Sequence, residues 1–216
     1  MHWTQETPMY YHHPVLDKGF VGAVNWMSGD TGVIRAARIC YQSKARNEDS
    51  DRKLIRRLLK SDQKHNTVFE HAVFTFKVKC PIFVARQWLR HRIGSFNEKS
   101  LRYCVADREY YVPYGANVIY AAEVSYAEHM EASFDVYERL VENGMAKEQA
   151  RGVLGTAIYT EFLWTVNAWS LMNWIQKRIN SAAQWEHQQY AKAVLEIFAS
   201  IMPITANAFK EFVLKQ

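Results

Sequence analysis

The chain has 216 residues, of which 49% are apolar and 23% charged, and it carries a net charge of +5 with a pI near 9.0. This composition excludes a disordered or fibrous chain, and the length suffices for one domain with its own core, taken as residues 1–216. The surplus of cations favours phosphate-bearing partners, either nucleic acid or small nucleotides.

The three cysteines, Cys40, Cys80 and Cys104, are odd in number and widely spaced. They argue against a disulfide framework and a cysteine zinc site, and read as small residues in or near the core. The segment Met1-His2-Trp3-Thr4-Gln5-Glu6 has no basic region followed by an apolar run. No apolar run reaches the roughly 18 residues of a membrane span. A cytoplasmic protein with no membrane segment is expected.

In chain order, the first element is a strand around Val15–Ala23. Asp30 or Thr31 is placed to cap a helix running to about Tyr41. Asn47-Glu48-Asp49-Ser50-Asp51 reads as a polar loop, and Leu54, Ile55, Leu58 and Leu59 then repeat at helical spacing. Ala72–Lys79 alternates, with Phe74, Phe76 and Val78 on one face, which predicts a strand buried on that face. Pro81 suits the first position of a helix to about His91, ended by Gly94-Ser95. Glu109–Val112 reads as extended.

From Ala121 onward the pattern turns helical. Met130, Phe134, Tyr137 and Val141 form one apolar face, and Gly144 fits the carboxyl end. A longer helix is expected over Thr156–Arg178, with Thr160, Asn167, Ser170 and Asn173 as a narrow polar stripe. Another follows from Ala182 to Ile201, before Pro203. The sum is an α+β fold with a small, mainly antiparallel sheet and several long helices.

The densest polar segment is Arg86–Tyr103. On a helix, Arg86, Gln87 and Arg90 would share a face. Arg92 and Arg102 bracket a short irregular loop holding Ser95, Asn97, Glu98 and Ser100. Guanidinium forks match phosphate oxygens two at a time, and hydroxyls with backbone N–H groups complete such a cradle. Asn97 and Glu98 are suited to reading a base or sugar. The plainer reading is a solvated basic face. Trp88, Leu89, Phe96 and Tyr103, interleaved among the charges, argue for anchorage against a core. A nucleic-acid-binding surface is a competing reading, but clustering with Asn, Glu and Ser in one loop disfavours a polymer stripe.

Arg90-His91-Arg92, seven residues and then Ser100 give the pattern RHR-x7-S, and the longer run to Tyr103 fits RHRxxSxNExSxRY at all nine fixed positions. On these residues the chain resembles the flavin-dependent thymidylate synthases. His65-Asn66-Thr67-Val68-Phe69-Glu70-His71, Glu148 and Arg151, Asn167–Asn173, Arg178 and Gln184-Trp185-Glu186 are also similar to that family, so the resemblance spans roughly residues 20–212.

The resemblance implies synthesis of dTMP from dUMP, with 5,10-methylenetetrahydrofolate as carbon donor and FAD reduced by NADPH as hydride source. It also implies a homotetramer with active sites between subunits. Carried onto matching positions, Thr67, Arg90, His91, Arg92, Glu98, Asn167, Asn173 and the residue at Trp169 would contact FAD. Gln87, Arg90, Glu98, Ser100, Arg102 and Arg151 would hold dUMP. Arg178 would favour the ionised N3 of the pyrimidine, and His65 would lie near flavin and substrate.

The residue chemistry is compatible with these roles. Methylating uracil at C5 needs electron density there, and a cation beside the ring amide supplies it without a cysteine nucleophile. Ser100 lacks an adjacent general base and reads as a ligand contact. His65 and His71 have no third partner for a metal, and no GxGxxG or Walker pattern exists. His129 and His187 read as structural or exposed, and Glu123, Glu128, Glu131 and Glu138 as a solvated helix face. The chain departs from the family at Trp169, where arginine is common, at Gly155, where proline is common, and at Cys40, where serine is common.

Overall fold

The computed structural model describes residues 8–40, 42–43, 47–60, 66–114 and 120–215. Five strands form one antiparallel sheet in the order β1-β2-β3-β5-β4: β1 Tyr10–Val15, β2 Gly19–Met27, β3 Val73–Pro81, β4 Ser95–Glu98 and β5 Tyr159–Asn167. The helices are α1 Gly29–Cys40, α2 Glu48–Lys60, α3 Ile82–Trp88, α4 Tyr120–Glu142, α5 Lys147–Ala150, α6 Ala168–Arg178, α7 Trp185–Ile201 and α8 Pro203–Phe209. The α+β class is as expected.

The sheet is built on alternation. In β3, Phe74, Phe76, Val78 and Cys80 are buried while Thr75, Lys77 and Lys79 are partly open. Its neighbour β5 repeats this with Thr160, Phe162, Trp164 and Val166 inside and Leu163 outside. Phe76 stands opposite Trp164, and the outer face is tied by Thr75–Thr165 hydroxyls at 3.0 Å and Lys77–Glu161 at 3.0 Å. Cross-strand pairs of this kind fix register.

The long helix expected over Thr156–Arg178 is instead a strand followed by a helix. Phe162, Trp164 and Val166 belong to a period of two, and Asn167 is the break: its Oδ1 accepts from Ser170 N at 2.8 Å and caps α6. The proposed polar stripe is therefore divided, with Thr160 on the strand and Ser170 and Asn173 on the helix. The single strand at Val15–Ala23 is a hairpin. A turn around Leu16, at φ 60°, joins β1 to β2, and a Cβ on Gly19 would lie 2.0 Å from the Tyr190 hydroxyl. Glu48–Asp51 start α2 rather than a loop.

The helix after Pro81 is also shorter, ending at Trp88. Arg90 lies beyond it, so Arg86, Gln87 and Arg90 do not share one helical face. The chain must turn there to enter β4, the strand formed by the motif loop. Gly94 makes that passage possible, because a Cβ on it would sit 2.9 Å from Trp164 Nε1 and 3.0 Å from Thr165 O. Glu109–Val112 forms no full strand but makes the bridge Tyr110–Ile158 beside β5, and Glu109 pairs with Lys79.

Asp30 serves a different helix from the one expected. Its carboxylate accepts from Ile204 N at 2.9 Å and Thr205 N at 3.0 Å, capping α8. The main core centres on Trp88, Trp164 and Trp174, with Trp88 and Trp174 centroids 4.3 Å apart. His187 of α7 is fully buried against both rings. A second core joins Met130, Phe134 and Tyr137 of α4 to Ala150, Ala157 and Ile158. Gly144, at φ 85°, follows α4 as its spacing predicts. Cys80 is buried, but Cys40 and Cys104 are exposed, so the core reading holds for one cysteine of the three. No helix among the described residues is long and apolar enough to cross a membrane.

Candidate active site

Three elements converge on Arg178, the last residue of α6. Its Nε donates to His91 Nε2 at 3.0 Å, and its Nη2 donates to the carbonyl of Gln87 at 2.9 Å. The Gln87 side chain donates to Gln184 Oε1, just ahead of α7. Trp88, buried between these residues, fixes the spacing by packing on Trp174, one turn before Arg178.

His91 is half-buried, and burial, then the charges of Arg178 and Lys177, push its pKa down to about 4. The neutral ring keeps an unprotonated Nε2 to accept from Arg178. Burial also lowers the Arg178 pKa, yet a guanidinium remains a cation. With Nε and Nη2 engaged, the hydrogens on Nη1 have no partner among the described residues. The result is an oriented, partly desolvated cation held by a neutral acceptor.

A second group lies along the motif. Glu98, at the end of β4, accepts from the Thr160 hydroxyl at 2.8 Å. Ser100 Oγ accepts from Arg102 N at 3.3 Å. Glu148 of α5 gathers two arginines, with its Oε2 on Arg102 Nε at 3.0 Å and its carbonyl on Arg151 Nε at 3.3 Å. Lys147 donates to Tyr103 O at 3.1 Å and Lys99 pairs with Asp107 at 2.5 Å. Arg108 meets Glu131, Asp135 and Glu138 on α4, so that face is solvent-exposed as expected and also anchors the segment after the motif.

The other expected residues fall in separate places. Trp169 and Asn173 line a cavity of about 420 Å³, while Thr67 lines another of about 410 Å³ together with Cys40. Asn167 spends its Oδ1 on the α6 cap. Arg90 and Arg92 are exposed and have no carboxylate partner among the described residues. His65 lies outside the described residues. The structure thus directly links Gln87, His91 and Arg178, links Arg102 with Arg151 through Glu148, and has Thr67 lining a different cavity from Trp169 and Asn173, though its neighbours Asn66 and Phe69 line theirs.

His187 was legible only as a structural or exposed histidine; it is the buried partner of Trp88 and Trp174. Burial, with smaller contributions from Arg178 and His91, pushes its pKa down to about 3. Nothing in its local sequence marks this, because the enclosing indoles come from α3 and α6. The anchoring of Arg108 is likewise a long-range pairing that spacing within α4 does not signal.

Free arginines, exposed amides and an aromatic wall are a donor set that fits a cofactor with phosphates and a flat ring. Residues 24–204 match the family described as Thymidylate synthase complementing protein. The flavin-dependent thymidylate synthase of Thermotoga neapolitana is 45% identical over 208 residues, covering 94% of this chain and 95% of that one. The same-named protein of Thermus thermophilus is 38% identical, covering 94% of this chain and 79% of that one. The solved structure of the UMP/dUMP methylase PolB from Streptomyces cacaoi, bound with 5-Br dUMP, has a TM-score of 0.83 at 30% identity and covers 93% of this chain and 98% of that one. The chain therefore belongs to the flavin-dependent thymidylate synthase family and is an enzyme of it.

Proposed function

We propose that the enzyme converts dUMP to dTMP, with 5,10-methylenetetrahydrofolate as carbon donor and NADPH as reductant acting through FAD. The observation that carries this reading is the held guanidinium of Arg178, backed by a neutral His91. The methylase PolB, with its bound 5-Br dUMP, supports a pyrimidine nucleotide as substrate.

Arg178 presents its Nη1 hydrogens to the pyrimidine amide and favours the ring with N3 ionised, which enriches C5 in electron density. No cysteine addition is needed. Cys80 is buried with its pKa raised by burial, so its thiolate is suppressed. Arg102 and Arg151, oriented by Glu148, take the nucleotide phosphate with Ser100, Gln87 and Arg90. Glu98, placed by Thr160, accepts from the sugar or cofactor. FAD supplies two-electron hydride chemistry when bound. Arg90, His91, Arg92, Thr67, Asn167, Trp169 and Asn173 hold it, and Trp169 contributes stacking where an arginine would contribute charge. His65 stands near both ligands in this reading.

Separate cavities for Thr67 and for Trp169 with Asn173 suit a homotetramer in which one subunit completes another's site. Exposed Ile39, Ile93 and Tyr103 suit such contacts. The whole of residues 1–216 acts as one catalytic domain, in the cytoplasm. Purified protein should be yellow, and dUMP should stimulate its oxidation of NADPH. A protein that takes up no FAD, but binds single-stranded nucleic acid with steep salt dependence, would overturn the reading.

A further inference from the structure

The acidic stripe of α4 has a purpose that helix formation does not explain. Glu131, Asp135 and Glu138 stand at i, i+4 and i+7, so they share one face, a turn apart. Like charges at that spacing repel and weaken a helix. Arg108 is the counter-charge. Its Nε donates to Glu131 Oε2 at 2.8 Å and its Nη1 to Glu138 at 2.9 Å. Its Nη2 donates to Asp135 at 2.6 Å and to the Glu131 carbonyl at 3.3 Å. Every nitrogen of the fork is engaged, and the guanidinium lies 5.8 Å from the centre of the Phe134 ring. An isolated surface pair contributes little, but one cation shared by three carboxylates is a network.

This network fixes the returning end of the loop formed by residues 100–106. The loop leaves β4 at Lys99, whose backbone N–H donates to Glu161 O at 2.8 Å. It returns at Asp107, whose carboxylate meets Lys99 Nζ at 2.5 Å and latches the neck. Arg108 follows at once. The hydroxyl of Tyr137, buried in α4, accepts from Ala106 N at 3.1 Å, and Leu101 and Ala106 pack on the second core. Ser100 and Arg102, two of the expected dUMP contacts, lie between these fixed ends. The bonds within the loop are short-range: Tyr103 N and Cys104 N both donate to Ser100 O, at 3.1 and 3.0 Å. The shape that the loop offers a nucleotide is therefore set by where α4 holds its end.

We propose that Arg108 is a positioning residue for the nucleotide: its grip on Glu131, Asp135 and Glu138 holds the loop of residues 100–106 in the form that receives dUMP. The proposal rests on the dUMP reading above and adds to it a charge cluster outside the expected dUMP contacts. A loop already held in its binding form is not ordered at the expense of affinity, so the cluster acts on substrate binding and not on the chemical step.

The test is calorimetric titration of dUMP into FAD-loaded enzyme, with KM and kcat measured beside it, comparing wild type with Arg108→Met well below the melting temperature of either. Methionine keeps an apolar stem over Phe134 and removes the charge. The dUMP Kd and KM should rise about three- to tenfold, with kcat within about twofold and flavin absorbance unchanged. Arg108→Lys should recover part of the affinity, because an ammonium still meets a carboxylate but cannot fork across three. Salt screens the cluster, so the gap in affinity between wild type and Arg108→Met should narrow as salt rises. Glu138→Gln releases one arm of the grip, relieves repulsion within α4, and should shift the dUMP Kd in the same direction by a smaller factor; it carries the test if Arg108→Met does not fold. Wild-type dUMP affinity in the folded variant would make Arg108 a structural anchor alone and overturn the proposal, leaving the dUMP reading intact. A fall in kcat at unchanged dUMP affinity would also overturn it. A wild type that binds no dUMP would overturn the dUMP reading itself.

Discussion

Arg178 Nε donates to His91 Nε2 at 3.0 Å, which ties the carboxyl-terminal end of α6 to the middle residue of the Arg90-His91-Arg92 motif. The bond requires a neutral imidazole, and burial supplies it by lowering the His91 pKa to about 4. Motif and the proposed catalytic cation are therefore one hydrogen-bonded unit. Arg178→Ala should reduce turnover by on the order of 10²–10³-fold, the usual cost of removing one preorganised electrostatic contact. Flavin absorbance should stay. Arg178→Lys should not restore the rate, because an ammonium cannot serve His91, Gln87 and the pyrimidine in fork geometry. Turnover and bound flavin, measured together, check both statements.

The two depressed histidines make stability depend on pH. Above pH ~6.5 both rings are neutral in the folded and the unfolded chain, and their contribution is fully present. Below that, the unfolded chain takes up protons that the folded chain refuses. Stability should fall with pH until the folded rings titrate, near pH 4 for His91 and near pH 3 for His187. His187, the more deeply buried of the two rings, should carry the larger share of that loss. Thermal melts from pH 7 to pH 4 should show a falling Tm, and His187→Phe should flatten that slope. An unchanged slope would mean that His187 is not shielded.

How much of this was visible in the sequence depended on distance along the chain. The motif was legible because its residues are local, and Phe74, Phe76 and Val78 were legible because a strand buried on one face alternates. Tyr159–Asn167 was not. Its Phe162-Leu163-Trp164 run hides the period of two because Leu163 is apolar although it points outward and is exposed. The break at Asn167 shows only as a helix cap, and a cap inside an apolar run reads equally as part of a helix. Asp30 misled for a related reason: its carboxylate serves α8, more than a hundred residues away. The contact of Gln87 and His91 with Arg178 joins positions about ninety apart, and no spacing rule reports it.

Glu148 is the hinge of the phosphate-binding proposal. Glu148→Gln removes the charge that orients Arg102 and leaves the backbone carbonyl that serves Arg151. The pair is exposed, so the stability change should be within about 0.5 kcal/mol. The KM for dUMP should rise severalfold with kcat changed little. Ser100→Ala should act in the same direction and retain measurable turnover. Complete loss of turnover with dUMP affinity intact would instead make Ser100 a nucleophile.

The Asp30 cap is a purely structural test. Asp30→Ala leaves Ile204 N and Thr205 N without their acceptor at the start of α8. The expected loss is about 1–2 kcal/mol. Trp174→Ala should cost more, about 3–5 kcal/mol, because it opens the core beneath Arg178 and His91. Denaturant midpoints at pH 7 separate the two. In the Asp30 variant, turnover per folded molecule should match wild type.

The central claim is that a flavin and an arginine do what a cysteine nucleophile would otherwise do. The most direct measurement is dTMP formed from dUMP by purified enzyme carrying Cys40→Ala, Cys80→Ala and Cys104→Ala, with 5,10-methylenetetrahydrofolate, NADPH and FAD supplied. The account predicts dTMP at a rate close to wild type, and none when FAD is left out of flavin-free protein. Loss of dTMP from the triple variant while it remains folded and yellow, or equal dTMP without flavin, would contradict it.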